Sequence, residues 1–128
     1  MPRALPPSLP KRADFLRAAS RGRKTARPGV VMQILKTGPE DGLRLGLTAS
    51  RKVGNAVERN RARRRLRAAF RLELAARGPI ASADVVLIAR KDSATVPFAQ
   101  LRANIGAVLE QSLAPAPATP SAVLSGVT

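Results

Sequence analysis

A chain of 128 residues has room for one compact domain with extended ends, and its 23 Lys and Arg against 8 Asp and Glu leave a formal charge of +15, beyond what solubility requires. That excess points to a polyanionic partner, with nucleic acid first among them. The chain has no Cys and no His, which excludes disulfide frameworks, thiolate zinc sites and the usual nucleophile and base pairs of covalent catalysis.

Residues 1–10, with prolines at 2, 6, 7 and 10, read as a flexible N-terminal arm that lacks the apolar centre of a signal peptide. The longest apolar run, Val85 to Ala89, falls far short of the roughly 18 residues of a membrane span. A cytoplasmic protein with no membrane partner is the expectation. Lys11 to Ser20 is predicted to form a short helix ended near Gly22, with Phe15 and Leu16 as its bulky apolar residues. A basic connector from Arg21 to Arg27 leads to Pro28-Gly29 and then to a β-rich run, Val30 to Leu35, which ends in a turn over residues 37–42. The returning strand alternates Leu43, Leu45, Leu47 and Ala49 with Arg44, Gly46, Thr48 and Ser50. One face of it is expected to be buried and the other polar and exposed.

Asn55 with Glu58 three residues on is a capping-box-like start to the longest helix, which should run until Arg77-Gly78-Pro79 stops it. Asp84 to Ala89 has the continuous apolar character of a strand covered on both faces. A last helix follows, with Phe98, Leu101, Ile105, Val108 and Leu109 at helical spacing. Beyond Leu113 the composition is Pro, Ala, Ser and Thr, so residues 114–128 are expected to be a disordered tail after a domain spanning 11–113.

The chemistry concentrates between Arg51 and Arg77, which hold ten basic residues and two acids. At about 100° per residue, Ala62, Leu66, Ala69 and Phe70 fall on one side of the long helix, and Asn60, Arg61, Arg64, Arg67 and Arg71 on the opposite arc. Arg59, Arg63, Arg67 and Arg71 form a ridge at i, i+4 spacing, where like charges repel by about 0.2 to 0.5 kcal/mol per pair. A solvated face usually mixes signs, whereas this one has almost no acid. Arg also suits bidentate contact with phosphate. The eight acids are scattered and offer no converging cluster for a metal nuclease, so phosphodiester chemistry associated with this chain is expected to reside in another molecule.

The segment RLGLTASRKVGNAVERNRARRRLRAAFR, Arg44 to Arg71, resembles the signature of the bacterial ribonuclease P protein family. The likeness lies in the strand Leu45 to Ser50, the turn Arg51-Lys52-Val53-Gly54-Asn55-Ala56-Val57, and Arg59-Asn60-Arg61 with the basic residues behind it. It extends less specifically over residues 11–110. The resemblance implies an α+β fold of order α-β-β-β-α-β-α, a two-layer, ribosomal protein S5 domain 2-like arrangement. Its mixed four-stranded sheet would carry a left-handed βαβ crossover, against the general right-handed rule. A fourth strand near Arg23 to Ala26, which periodicity does not show, is implied as well.

Functionally, the resemblance implies a subunit of an endoribonuclease that removes the 5′ leader from precursor tRNA. Hydrolysis would be performed with Mg2+ by an RNA subunit, leaving a 5′-phosphate on the tRNA. The family's RNA-subunit contacts carry over to Arg59, Asn60, Arg61, Arg63, Arg64, Arg65 and Arg67. Its leader-binding cleft carries over to Phe15, Arg17, Arg44, Thr48, Ser50 and Lys52. The implied partners are ribonuclease P RNA, one per protein, and precursor tRNA; the Mg2+ would be mainly RNA-bound and no protein ligand for it is assigned. Phe15 can either stack on an unpaired base or anchor the first helix in the core, and the residues alone leave both open. A ribosomal or general RNA-scaffolding protein and a DNA-binding regulator share the composition; the ordered frame from Arg44 to Arg71 separates the ribonuclease P protein family from both.

Overall fold

The computed structural model describes residues 8–9, 11–38, 42–77 and 82–112. The predicted tail at 114–128, most of the N-terminal arm, the centre of the 37–42 turn and the Gly78-Pro79 stop lie outside the described residues. The elements run α1 (Arg12–Arg21), β1 (Arg23–Arg27), β2 (Val30–Lys36), β3 (Leu43–Thr48), α2 (Ala56–Arg77), β4 (Ala83–Ala89) and α3 (Phe98–Ser112), with 3-10 turns at Arg51–Val53 and Lys91–Ala94. The sheet order is β1-β2-β4-β3. β1 and β4 each lie antiparallel to β2, and β3 runs parallel to β4, joined to it through α2. This is the mixed four-stranded α+β architecture that the resemblance implied.

β1 shows why periodicity overlooks it. Its sequence, RKTAR, has no apolar alternation, because it pairs on one side only and its side chains are mostly exposed. Basic residues on an edge strand also discourage pairing with a second chain. The link to β2 is Pro28-Gly29, with Arg27 opposite Val30. Gly29 at φ 88° supplies the left-handed conformation that a proline-initiated turn of this kind needs at its third residue.

The two faces of the sheet carry different layers. Val30, Met32 and Ile34 of β2, Ala83, Val85 and Leu87 of β4 and Leu45 of β3 pack against Ala62, Leu66, Ala69, Phe70 and Leu74 of α2 and Leu101, Ile105, Val108 and Leu109 of α3. Fully burying each large side chain of that layer contributes about 1.5 to 3 kcal/mol. On the opposite face, Ala18 and Phe15 of α1 pack with Leu9, Leu35, Val86 and Ile88. β4, buried at every position except Ile88, which is half-buried, is the covered central strand its composition predicts.

That second layer corrects the expectation for β3, whose polar face is partly covered and not fully exposed. Gly46 is buried, Arg44 and Thr48 are half-buried, and the cover comes from α1 and from Leu9. Leu9 N–H donates to Leu45 O at 3.2 Å, and Ser8 forms a parallel bridge with Leu45. Within the arm, these two residues extend the sheet beyond the β3 edge.

Candidate nucleic-acid interface

α2 is built as a one-sided helix. Its start is a capping box, with Asn55 N–H donating to Glu58 Oε1 and Glu58 N–H to Asn55 Oδ1, both at 2.9 Å. Ala62, Leu66, Ala69 and Phe70 are fully buried, while Asn60, Arg61, Arg64, Arg67 and Arg71 are exposed, as the helical phase requires. Arg59 and Arg63 flank that face half-buried. Arg59 Nη1 donates to Gly54 O at 3.1 Å, and Arg63 Nη1 to Asn60 Oδ1 at 3.1 Å. The exposed Arg64, Arg67 and Arg71 make no ion pair among the described residues, so their charge is free for an external anion.

Two arginines of the same helix are used inside the molecule. Arg61 Nε donates to Ala94 O at 3.1 Å. Arg65 Nη1 donates to Ser93 O at 2.6 Å, and its Nη2 donates to Val96 O. Burial, followed by the like charge of Arg61, pushes the Arg65 pKa down.

The residues expected to hold the leader divide in a similar way. Phe15, half-buried, rests on Gly46: a Cβ at that position would lie 2.6 Å from Phe15 Cε1 and 2.8 Å from Leu9 Cδ1. Phe15 thus both packs with its cluster and lines a recess of about 210 Å³ at the β3 edge, together with Ser8, Leu9, Leu45, Gly46, Leu47 and Arg67. The structure therefore brings together an aromatic from one expected set and an arginine from the other.

Arg44, by contrast, is committed to an ion pair. Its Nε and Nη2 donate to the two carboxylate oxygens of the fully buried Asp84, each at 2.8 Å, directly across the parallel register from β3 to β4. Nη2 also lies 3.4 Å from Asp14 Oδ1 of α1. The hydrogen bonds to Asp84 push the guanidinium pKa further up. Arg17, about half exposed, stands 3.6 Å from Asp14. Ser50 Oγ accepts from Lys52 N–H at 3.3 Å in the turn, with the Lys52 side chain exposed, and Thr48 follows Arg44 and Gly46 on the α1 side of β3.

Two cations escape sequence reasoning. Arg90 and Lys91, exposed at the end of β4, line a recess of about 440 Å³ with Val53, Glu58, Asp92 and Thr95. A basic pair directly after an apolar strand was the available signal, and only the fold sets it beside the start of α2.

Among the described residues no three acidic groups converge. Asp14 and Asp84 face Arg44, Glu73 faces Arg77 and Arg102, and Glu58 caps α2.

The profile of the Ribonuclease P family matches residues 6–112. A ribonuclease P protein component of Gluconacetobacter diazotrophicus is 45% identical over 104 residues, covering 81% of this chain and 89% of the relative. That of Ruegeria pomeroyi is 46% identical over 112 residues, covering 85% and 88%. Among solved structures, the ribonuclease P protein of Thermotoga maritima superposes with a TM-score of 0.68 at 30% identity, covering 81% of this chain and 96% of that one. A Staphylococcus aureus ribonuclease P protein gives 0.66 at 27% identity, covering 86% and 96%.

Proposed function

The chain belongs to the ribonuclease P protein family, and on that premise we propose that its two basic surfaces divide the work of holding RNA. The family supplies a subunit of the ribonucleoprotein enzyme that processes tRNA, and maturation of the tRNA 5′ end is its role. Ribonuclease P RNA is the partner that membership implies.

In our reading, the exposed face of α2 meets that RNA through Asn60, Arg61, Arg64 and Arg67, with Arg59 and Arg63 at its flanks. Arg71, Arg90 and Lys91 extend the same surface. Guanidinium groups neutralise phosphates with the N–H donors left open to solvent and fix the register of the RNA without reading its sequence. The recess at the β3 edge receives the single-stranded 5′ leader of precursor tRNA, where Phe15 offers a stacking surface and Arg17, Lys52 and Arg67 offer charge. Ser50 and Thr48 border it. Arg44 serves this cleft from behind, by holding α1 to the sheet through Asp14 and Asp84. One protein pairs with one RNA, in the cytoplasm; no helix among the described residues is long and apolar enough to cross a membrane.

Hydrolysis belongs to the RNA in this reading, with Mg2+ held there, because the acids of the described residues are scattered and engaged. The observation that carries the proposal is a helix buried on one side that carries on the other the exposed Arg64, Arg67 and Arg71, which make no ion pair among the described residues. Cleavage of precursor tRNA by a bacterial ribonuclease P RNA at low Mg2+, with and without the protein, tests it. Strong stimulation at the correct 5′ site is expected; tight RNA binding without stimulation would favour a scaffolding role.

A further inference from the structure

Arg65 lies within the basic run of α2, yet its surroundings set it apart from its neighbours. We infer that Arg65 is a positioning residue: it holds the turn at residues 91–96, and with it Arg90 and Lys91, against α2, and does not itself contact phosphate. The inference rests on the reading that α2 and the Arg90–Lys91 corner face RNA.

The turn ends in carbonyls that no helical partner satisfies. Three of them point at α2: Ser93 O and Val96 O accept from the two terminal nitrogens of Arg65, and Ala94 O accepts from Arg61 Nε. A planar guanidinium fork meets two such carbonyls with two separate nitrogens held in a fixed plane, whereas an ammonium would have to reach both from a single nitrogen on a flexible stem. Arg65 is half-buried, unlike Arg64 and Arg67 on either side of Leu66 and its own position, so its charge is directed inward.

The other side of the turn is equally fixed. Ser93 Oγ donates to Gly29 O and accepts from Arg90 N–H at 2.7 Å, while Gly29 N–H donates to Asp92 Oδ2 at 3.1 Å. The turn is thus clamped between the β1–β2 hairpin and α2, and the first residue of the clamped segment is the exposed Lys91, next to Arg90. Releasing the α2 side frees these two cations from their place beside Val53 and Glu58. A cation that moves contributes less to binding, because its ordering must then be supplied on association.

The test uses the full-length protein and ribonuclease P RNA, measuring affinity across a salt series together with amide exchange of the free protein. Arg65→Leu should lower affinity several-fold while leaving the log-log salt slope unchanged, and should speed exchange at Ser93 to Val96. Arg64→Ala, the comparison, should reduce the slope by about one unit. Arg65→Lys keeps the charge but loses the fork and should behave like Arg65→Leu. With Arg90→Ala and Lys91→Ala already in place, Arg65→Leu should cost no further affinity, which distinguishes positioning from general destabilisation.

A slope reduced by about one unit in Arg65→Leu, rescue by Arg65→Lys, or an undiminished loss in the neutralised background would overturn the inference. An unaltered slope and affinity in Arg64→Ala would instead sink the reading of α2 as the RNA-facing helix. The exchange measurement judges the clamp in that case too: unchanged protection at Ser93 to Val96 would refute it.

Discussion

Individual arginines in this protein are separated by what they touch. Arg44 and Arg64 have the same side chain, but one meets two aspartates and the other meets solvent. Removing one partner of a buried ion pair costs about 3 to 5 kcal/mol, because the other charge is left without compensation. Arg44 is a quarter exposed, which lets water reach part of the vacated site, so Arg44→Ala should destabilise the protein by about 3 kcal/mol in urea denaturation. A loss below about 1 kcal/mol would place Arg44 among the surface ion pairs. Gly46 makes a complementary case. Since a Cβ there would stand 2.6 Å from the Phe15 ring and 2.8 Å from Leu9, Gly46→Val should displace Phe15 and close the recess. The expected outcome is weaker binding of precursor tRNA with a leader, but unchanged affinity for the catalytic RNA, measured by filter binding with leader-bearing and leaderless tRNA.

At the level of elements, α2 combines two incompatible demands. Its apolar side must fit the sheet, and its other side carries like charges at helical spacing that repel by about 0.2 to 0.5 kcal/mol per pair. Arg64 and Arg71, exposed and without an ion pair among the described residues, have no folding role to lose. Replacing both with Ala should leave the thermal midpoint equal or slightly higher. It should also reduce the salt slope of RNA binding by somewhat under two units. Marked unfolding in a melting experiment would show that these side chains support the fold. The capping box and the helical phase of α2 were legible because both are local, depending on residues three or four apart. β1 was not, because an edge strand without an apolar face leaves no periodic trace. The cover over β3 was equally hidden: alternation predicts two faces, but not that Leu9 and α1 lie over the second.

For the molecule as a whole, the net charge of +15 and the free arginines of α2 predict an assembly governed by counterion release. With roughly six to ten phosphate contacts, affinity for the catalytic RNA should fall by about a thousandfold or more between about 50 and 200 mM salt; a flat response would remove the electrostatic basis of the interface. The sequence by itself determined the class of partner, the absence of thiol and imidazole chemistry, the phase of α2 and the family resemblance, since each follows from composition or from residues close together in the chain. Only the tertiary structure decided which cations remain available. Arg44 is paired across 40 residues with Asp84, Arg65 reaches 28 and 31 residues to Ser93 and Val96, and Phe15 shares a recess with Arg67. A guanidinium is a donor to any carboxylate, carbonyl or phosphate within reach, and what lies within reach is fixed when strands and helices distant in sequence pack together.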